Sequence, residues 1–221
     1  MEKLYEKIKK NNEIKALLHK GNQNLDVLGF TDHSEAHTVM VAERAARILT
    51  KLGFDERTID LAKVAGYMHD IGNSINRINH AEYGGILAYS ILKEMKELSL
   101  EEQITIASAI AHHDESTGGA VDVISAALII ADKSDVRRSR VRQKDIRKFD
   151  IHDRVNYAVL KNELIVDKEN GKIVLDLEID EEMCDVLDYF DIFLERMIMC
   201  RKATYEFFGL DFDLVIQGKV Y

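Results

Sequence analysis

Seven side chains able to hold a cation stand out: His37, His69, Asp70, His80, His112 and His113 lie near helix ends, and Asp132 is embedded in apolar sequence. The densest group lies in MHDIGNSINRINH, residues 68–80, where the apolar run AGYM arrives at His69 and Asp70, and Arg77 and His80 follow. Asp132 sits at the end of VDVISAALIIA, residues 121–131, which is apolar on nearly every side. A carboxylate in such surroundings is costly unless it is paired or bound to a metal. Imidazoles and carboxylates facing inward from several helices suit a first-row divalent ion. One aspartate can bridge two such ions. A bridging water is then acidified into a nucleophile while the ions hold a phosphoryl oxygen. Taken singly, each residue has a plainer reading: a capping or surface histidine for His37 and His80, a salt-bridge partner for Asp132. Their order and their placement on the helices favour one common site.

The elements that must position these groups are mostly helical. Residues 2–20 read as one or two short amphipathic helices with Leu4, Ile8, Ile14, Leu17 and Leu18 on the apolar side. Asn22, Asn24 and Gly29 mark a loop, and Asp32 with Glu35 suggests a capping box for a helix that stops at Gly53. Asp55 caps the next helix, which carries Ile59, Ala62, Val64 and Met68. A helix over about 80–97 follows. Ser99 and Glu102 form a second capping box for one that ends at His112 and His113. Residues 121–131 predict a central buried helix, with a buried strand as the weaker alternative. LIVDKENGKIVLDLEI reads as a hairpin about Asn170 and Gly171. Residues 181–208 read as a long helix and FDLVIQGKVY as a final strand. The expected division is a helical core over residues 1–145 and a small α+β appendage over 146–221.

Composition narrows the function classes. The chain has 221 residues and 46% hydrophobic content, enough for a substantial core. A net charge of -9 argues against stable nucleic-acid binding, which needs a basic face. The balance is locally reversed between Asp132 and Lys148, where eight Lys or Arg face three Asp. Cys184 and Cys200 make neither a CxxC pair nor a disulfide framework. No apolar run approaches the roughly 20 residues of a membrane helix. Met1 leads straight into charged residues rather than a signal-peptide core. The expectation is a cytoplasmic protein with no membrane association.

FTDHSEAH, MHDIGNSINRINH, AIAHHD and IIADKSDVRRSRVR together resemble the HD-domain metal-dependent phosphohydrolase superfamily, in a prokaryotic HDIG-type subgroup with a small sheet-containing tail. The resemblance runs from about residue 8 nearly to the end. It implies a mainly α fold: an HD-domain helical bundle with a small C-terminal antiparallel β-sheet/helix appendage. It implies His37, His69, Asp70 and Asp132 as ligands of a first metal, and Asp70 as a bridge to a second held by His80 and His113. His112 is an additional candidate, as a ligand or as part of the pocket wall. His33 matches a recurring subgroup position, with a hydrogen-bonding role at the start of the helix equally open. Two divalent ions are expected, and the imidazole-rich set leans toward Mn, Fe or Co rather than Mg.

The expected function is hydrolysis of a phosphoester or phosphoanhydride in a small, phosphorylated, nucleotide-like substrate by a metal-bridging hydroxide. Asp70, Arg77 and Lys133 are the candidate catalytic residues, and Arg77, Lys133 and Arg140 the candidate phosphate contacts. Arg77 on a surface, and the arginine run after Asp132 as a solvated face, are the plainer alternatives. Two other functions remain open at this stage: a di-iron oxygenase on the same fold, and a nucleotide-binding regulatory module with little turnover. Neither a general acid nor the oligomeric state is legible, and a homodimer is compatible with the sequence.

Overall fold

Cap chemistry sets most of the helix boundaries in the computed structural model, which describes residues 3–221. The helices are α1 (Leu4–Lys10), α2 (Asn12–Val27), α3 (Glu35–Leu52), α4 (Glu56–Met68), α5 (His80–Leu92), α6 (Leu100–Ala111), α7 (Val123–Lys133), α8 (Ile151–Ala158) and α9 (Val186–Phe208). The strands are β1 (Val159–Asp167), β2 (Lys172–Ile179), β3 (Asp211–Ile216) and β4 (Lys219–Val220). Asp55 accepts from the backbone N–H groups of Arg57 and Thr58 to start α4, and Ser99 with Glu102 closes the expected capping box of α6. Gly53 ends α3 in the left-handed region, at φ 89°.

Four expectations are corrected. Asn22 and Asn24 do not form a loop; they lie inside α2, which continues to Val27 because Leu25 is buried. Their amide groups are used elsewhere: Asn24 donates to the carbonyls of Asn73 and Ser74, and Asn22 accepts from the His33 backbone. Asp32 is not the cap of α3. Ser34 holds that position, and the Asp32 carboxylate accepts from the Ser34 backbone and hydroxyl instead. Helix α5 stops at Leu92 rather than residue 97, because short turns at Glu94 and Met95 drop Leu98 into the core before Ser99 starts α6. FDLVIQGKVY is two strands, β3 and β4, joined at Gln217 and Gly218, which both have positive φ.

Helix α7 is the spine of the core. Residues 126–131 are fully buried, and the helix packs against α3, α4, α6 and α9. Each large apolar side chain so buried contributes roughly 1.5–3 kcal/mol. The sheet has the order β1-β2-β3-β4. The β1–β2 pair is the expected antiparallel hairpin and β3–β4 is antiparallel too, but β2 and β3 run parallel, which corrects the expectation of an antiparallel sheet throughout, with Leu175 opposite Leu214. Helix α9 makes the crossover that a parallel pair requires. The alternation of Ile173, Leu175, Leu177 and Ile179 gives β2 one buried face.

Sheet and core are fastened directly behind Asp132. Asn162 on β1 donates to the carbonyls of Ser134 and Val136 at 2.7 and 2.9 Å. It accepts from Arg44 of α3 at 2.7 Å. The same Arg44 donates to the carbonyl and hydroxyl of Ser134. The C-terminal elements are therefore hydrogen-bonded to the segment that leaves the end of α7.

Candidate metal centre

Two close backbone approaches bring the histidines together. A Cβ on Gly66 would stand 2.7 Å from the Cα of Ala42, so only glycine lets α4 lie this near α3. That contact sets the His37 and His69 rings 5.2 Å apart. A Cβ on Gly72 would stand 1.9 Å from the His80 carbonyl oxygen and 2.6 Å from the Gly84 nitrogen. The 3-10 turn Ile71–Ser74 therefore lies against the first turn of α5, and His80 returns beside Asp70. His113 follows the end of α6, and Asp132 lies in the last turn of α7.

All six expected ligand residues meet in one buried cluster. His37 Nε2 lies 3.6 Å from Asp70 Oδ2 and 3.3 Å from Asp132 Oδ1. His69 Nε2 lies 3.2 and 3.6 Å from the same two oxygens. His80 Nε2 is 3.9 Å from the other oxygen of Asp70, Oδ1, and 3.2 Å from His113 Nε2. The two oxygens of Asp70 thus face different histidines, as a bridging carboxylate requires. Three overlapping groups have ligand atoms mutually within 4.8 Å: His37, His69 and Asp70; His69, His113 and Asp132; Asp70, His80 and His113.

The tautomers follow from the outer nitrogen of each ring. His69 Nδ1 donates to the Gly66 carbonyl, His80 Nδ1 to Arg77 and His113 Nδ1 to Ile110, at 2.8, 3.1 and 2.6 Å. His37 Nδ1 donates to Asp135 Oδ2 at 2.7 Å. With the proton on Nδ1, all four Nε2 lone pairs point inward, the arrangement metal-binding imidazoles adopt. His80 and His113 then oppose two acceptors at 3.2 Å, a repulsive contact that a cation between them converts into attraction. His37 Nε2 and Asp70 Oδ2 are buried without a hydrogen-bond partner among the described residues. Each such atom costs about 1–3 kcal/mol unless something coordinates it. The donor set therefore fits divalent metal.

Protonation favours the same state at Asp70, Asp132, His80 and His113, whereas at His69 burial is outweighed by Asp70 and Asp132 and the pKa is raised. Burial opposes ionisation of Asp70 and Asp132, but the facing imidazoles and, for Asp132, the Lys133 ammonium hold both well below the usual carboxylate range. Burial and the neighbouring His69 and His80 push His113 down to about 3. Burial and Arg77 lower His80. His33 is lowered by burial and by Arg140; its Nδ1 donates to the Thr31 carbonyl and its Nε2 accepts from Arg140.

The other expected residues separate by the company they keep. Arg77 Nη1 reaches His80 Nε2 at 3.3 Å and Asn73 Oδ1 at 3.5 Å, and its guanidinium lies over Phe30. Lys133 is buried and bonded to Asp132 Oδ2 at 2.9 Å and Glu115 Oε2 at 2.6 Å. Arg140 is not part of a solvated face. It is buried, and its Nε, Nη1 and Nη2 are bonded to the Asp32 carbonyl, the Asp135 carbonyl and His33. His112 is in none of the three ligand groups, and its Nδ1 donates to the Ser108 carbonyl.

Sequence reasoning missed Asp135, Glu115 and Arg196. Asp135 stands three residues after Asp132, visible in IIADKSD only as one more charge. Glu115 accepts from Lys133 and also from Arg196 Nε at 2.8 Å. A cavity of about 430 Å³ opens beside the cluster, lined by His33, Arg77, Glu115 and Arg140 from the helical core and by residues of α8 and α9 including Phe193 and Arg196.

The model of the HD domain family matches residues 35–155. An uncharacterized protein of Methanocaldococcus jannaschii is 27% identical over 201 residues, covering 81% of this chain and 77% of its own length. Among solved structures, a predicted HD superfamily hydrolase from an uncultured Thermotogales bacterium is similar at 24% identity and a TM-score of 0.44, with 57% of this chain and 67% of that one covered. No helix among the described residues is long and apolar enough to cross a membrane.

Proposed function

Because the chain belongs to the HD domain family, we propose that it is a metal-dependent phosphohydrolase acting on a phosphoester or phosphoanhydride of a small, nucleotide-like substrate. The observation that carries this reading is the convergence of four imidazole Nε2 atoms on Asp70 and Asp132 in a buried cluster beside an arginine-lined cavity. In this assignment His37, His69, Asp70 and Asp132 hold one divalent ion. Asp70, His80 and His113 hold a second. The imidazole-rich set favours Mn, Fe or Co over Mg. Bound there, the ions supply Lewis acidity toward a phosphoryl oxygen and lower the pKa of water to near neutrality.

The chain's own residues do the rest. Asp135 and three backbone carbonyls fix each histidine tautomer, so no reorientation is needed when ligand arrives. Arg77 lines the cavity and, among the described residues, uses only Nη1 in hydrogen bonds, so its Nε and Nη2 are the donors assigned to phosphoryl oxygen. Lys133 has one N–H beyond its two carboxylate partners and offsets charge next to Asp132. Arg140, with all three nitrogens bonded to protein, holds His33 and the loop before α3 in place rather than gripping phosphate.

The test is a panel of phosphomonoesters, phosphodiesters and nucleoside polyphosphates assayed in Mn, with the metal content of the purified protein measured alongside. Turnover of at least one compound, lost on chelation and restored by Mn, is expected. Oxygen consumption by an iron-loaded protein that cleaves none of the panel would replace this reading with the oxygenase one.

A further inference from the structure

We propose that Arg196, on α9 and outside the span matched by the family model, is a substrate-binding residue that takes an oxygen of the phosphate group. The proposal rests on the phosphohydrolase reading and carries it into the C-terminal elements. Three observations meet at this side chain. It lines the same cavity as Arg77 and His33. Its hydrogen bond to Glu115 uses Nε alone, so both terminal amino groups are without a hydrogen-bond partner among the described residues. It is held rigidly at the other edges: Glu115 fixes Nε at 2.8 Å, and the Phe193 ring lies 4.9 Å from the guanidinium carbon.

A guanidinium anchored by one edge and one face, with unused donors on a side chain that lines a cavity, is pre-organised for an anion. Glu115 is itself anchored from the core, because its second oxygen accepts from Lys133, which bonds Asp132. The chain Arg196–Glu115–Lys133–Asp132 sets the position of the α9 arginine against a residue of the ligand cluster. The two cations of this chain are matched by two carboxylates, Glu115 and Asp132, so a phosphate is taken by the unused guanidinium donors of Arg196 rather than by an uncompensated charge. Arg77, from the loop before α5, lines the same cavity. A phosphate between them is gripped by one arginine of the helical core and one of the C-terminal elements.

The test is calorimetric titration of inorganic phosphate into the full chain, loaded with Mn, for wild type, Arg196→Gln and Arg196→Lys. Metal content and helical circular dichroism are measured for each protein, so that a folding or metal defect is seen directly. The expected result is phosphate binding weakened by about ten- to a hundredfold in Arg196→Gln and by less in Arg196→Lys, at unchanged metal content. In steady-state assays the same variants should raise KM more than they lower kcat. Phosphate affinity equal to wild type in Arg196→Gln overturns the proposal, as does a wild-type protein that binds no phosphate. A wild type that binds phosphate through Arg196 yet cleaves no phosphoester overturns the hydrolase reading and leaves this one standing.

Discussion

His37 Nδ1 donates to Asp135 Oδ2 at 2.7 Å, with both side chains buried. The bond fixes the proton on the outer nitrogen of His37 and points Nε2 at Asp70 and Asp132. Asp135→Asn keeps the shape and removes the charge that makes the imidazole a good donor to a cation. Losing such an outer partner typically costs 10–100-fold in metal affinity. Titration with Mn, read by calorimetry, should show a loss within about that range. Affinity unchanged from wild type would remove Asp135 from the site.

Asp70 is the residue on which both halves of the cluster depend, since its two oxygens face different histidines. Asp70→Ala is expected to abolish metal binding and hydrolysis while the helical signal survives. His80→Ala and His113→Ala should each lower the bound metal from two ions toward one and leave the group around His37 loaded. Elemental analysis of the purified variants decides it. A full metal complement in Asp70→Ala would disprove the ligand assignment.

Gly72 is a steric requirement. An added Cβ would meet the His80 carbonyl at 1.9 Å, and both partners are backbone that cannot swing aside. Gly72→Ala must separate the 3-10 turn from α5 and with it His80 from Asp70. We expect a destabilisation of at least about 3 kcal/mol by denaturant unfolding, with loss of the ion assigned to His80 and His113. A variant with wild-type stability and metal content would contradict the packing argument.

Acid should unfold the metal-stripped protein earlier than composition alone suggests. Burial pushes His113 down to about 3 and lowers His33, so between about 6.5 and 3 the unfolded chain binds protons that the native state does not. Stability therefore falls as pH is lowered through that window. Asp70, Asp132 and Asp135, all held below the carboxylate range, add the same sign lower down, near and below about 3.9. His69 is raised: burial works against its charge, but Asp70 and Asp132 outweigh it. Its contribution is fully present below about 6.5 and does not cancel the trend. The melting temperature of chelator-treated protein should drop steadily from pH 7 to pH 4. Added Mn should raise it at pH 7 and lose its effect on acidification, because the ligands must be deprotonated. A flat profile would argue against neutral, buried histidines.

What the sequence disclosed and what it concealed divide along physical lines. His37, His69, Asp70, His80, His113 and Asp132 were legible because ionisable groups in apolar or helix-terminal settings need a partner. The capping residues Asp55 and Ser99 were legible because capping is local. Asn22 and Asn24 misled for the opposite reason: their amides are satisfied by segments about 10 to 120 residues away, so α2 continues through them. Arg140 looked like one member of a basic surface run, and only tertiary contact shows it enclosed by Asp32, Asp135 and His33. Glu115, in the turn after α6, and Arg196, in α9, are 81 positions apart, and each is ordinary in its own segment. The parallel pairing of β2 with β3 depends on strand order, which side-chain alternation does not encode.

That parallel pair also dictates an order of events. Lys172 of β2 meets Asp211 of β3 across the whole length of α9. During synthesis the ligand-bearing helices emerge first, and β3 can join the sheet only after α9 has been made. The wall that carries Phe193 and Arg196 is therefore the last part of the cavity to be locked. A nascent chain stopped before residue 211 would hold every proposed metal ligand and still lack the strand that pins α9 over them.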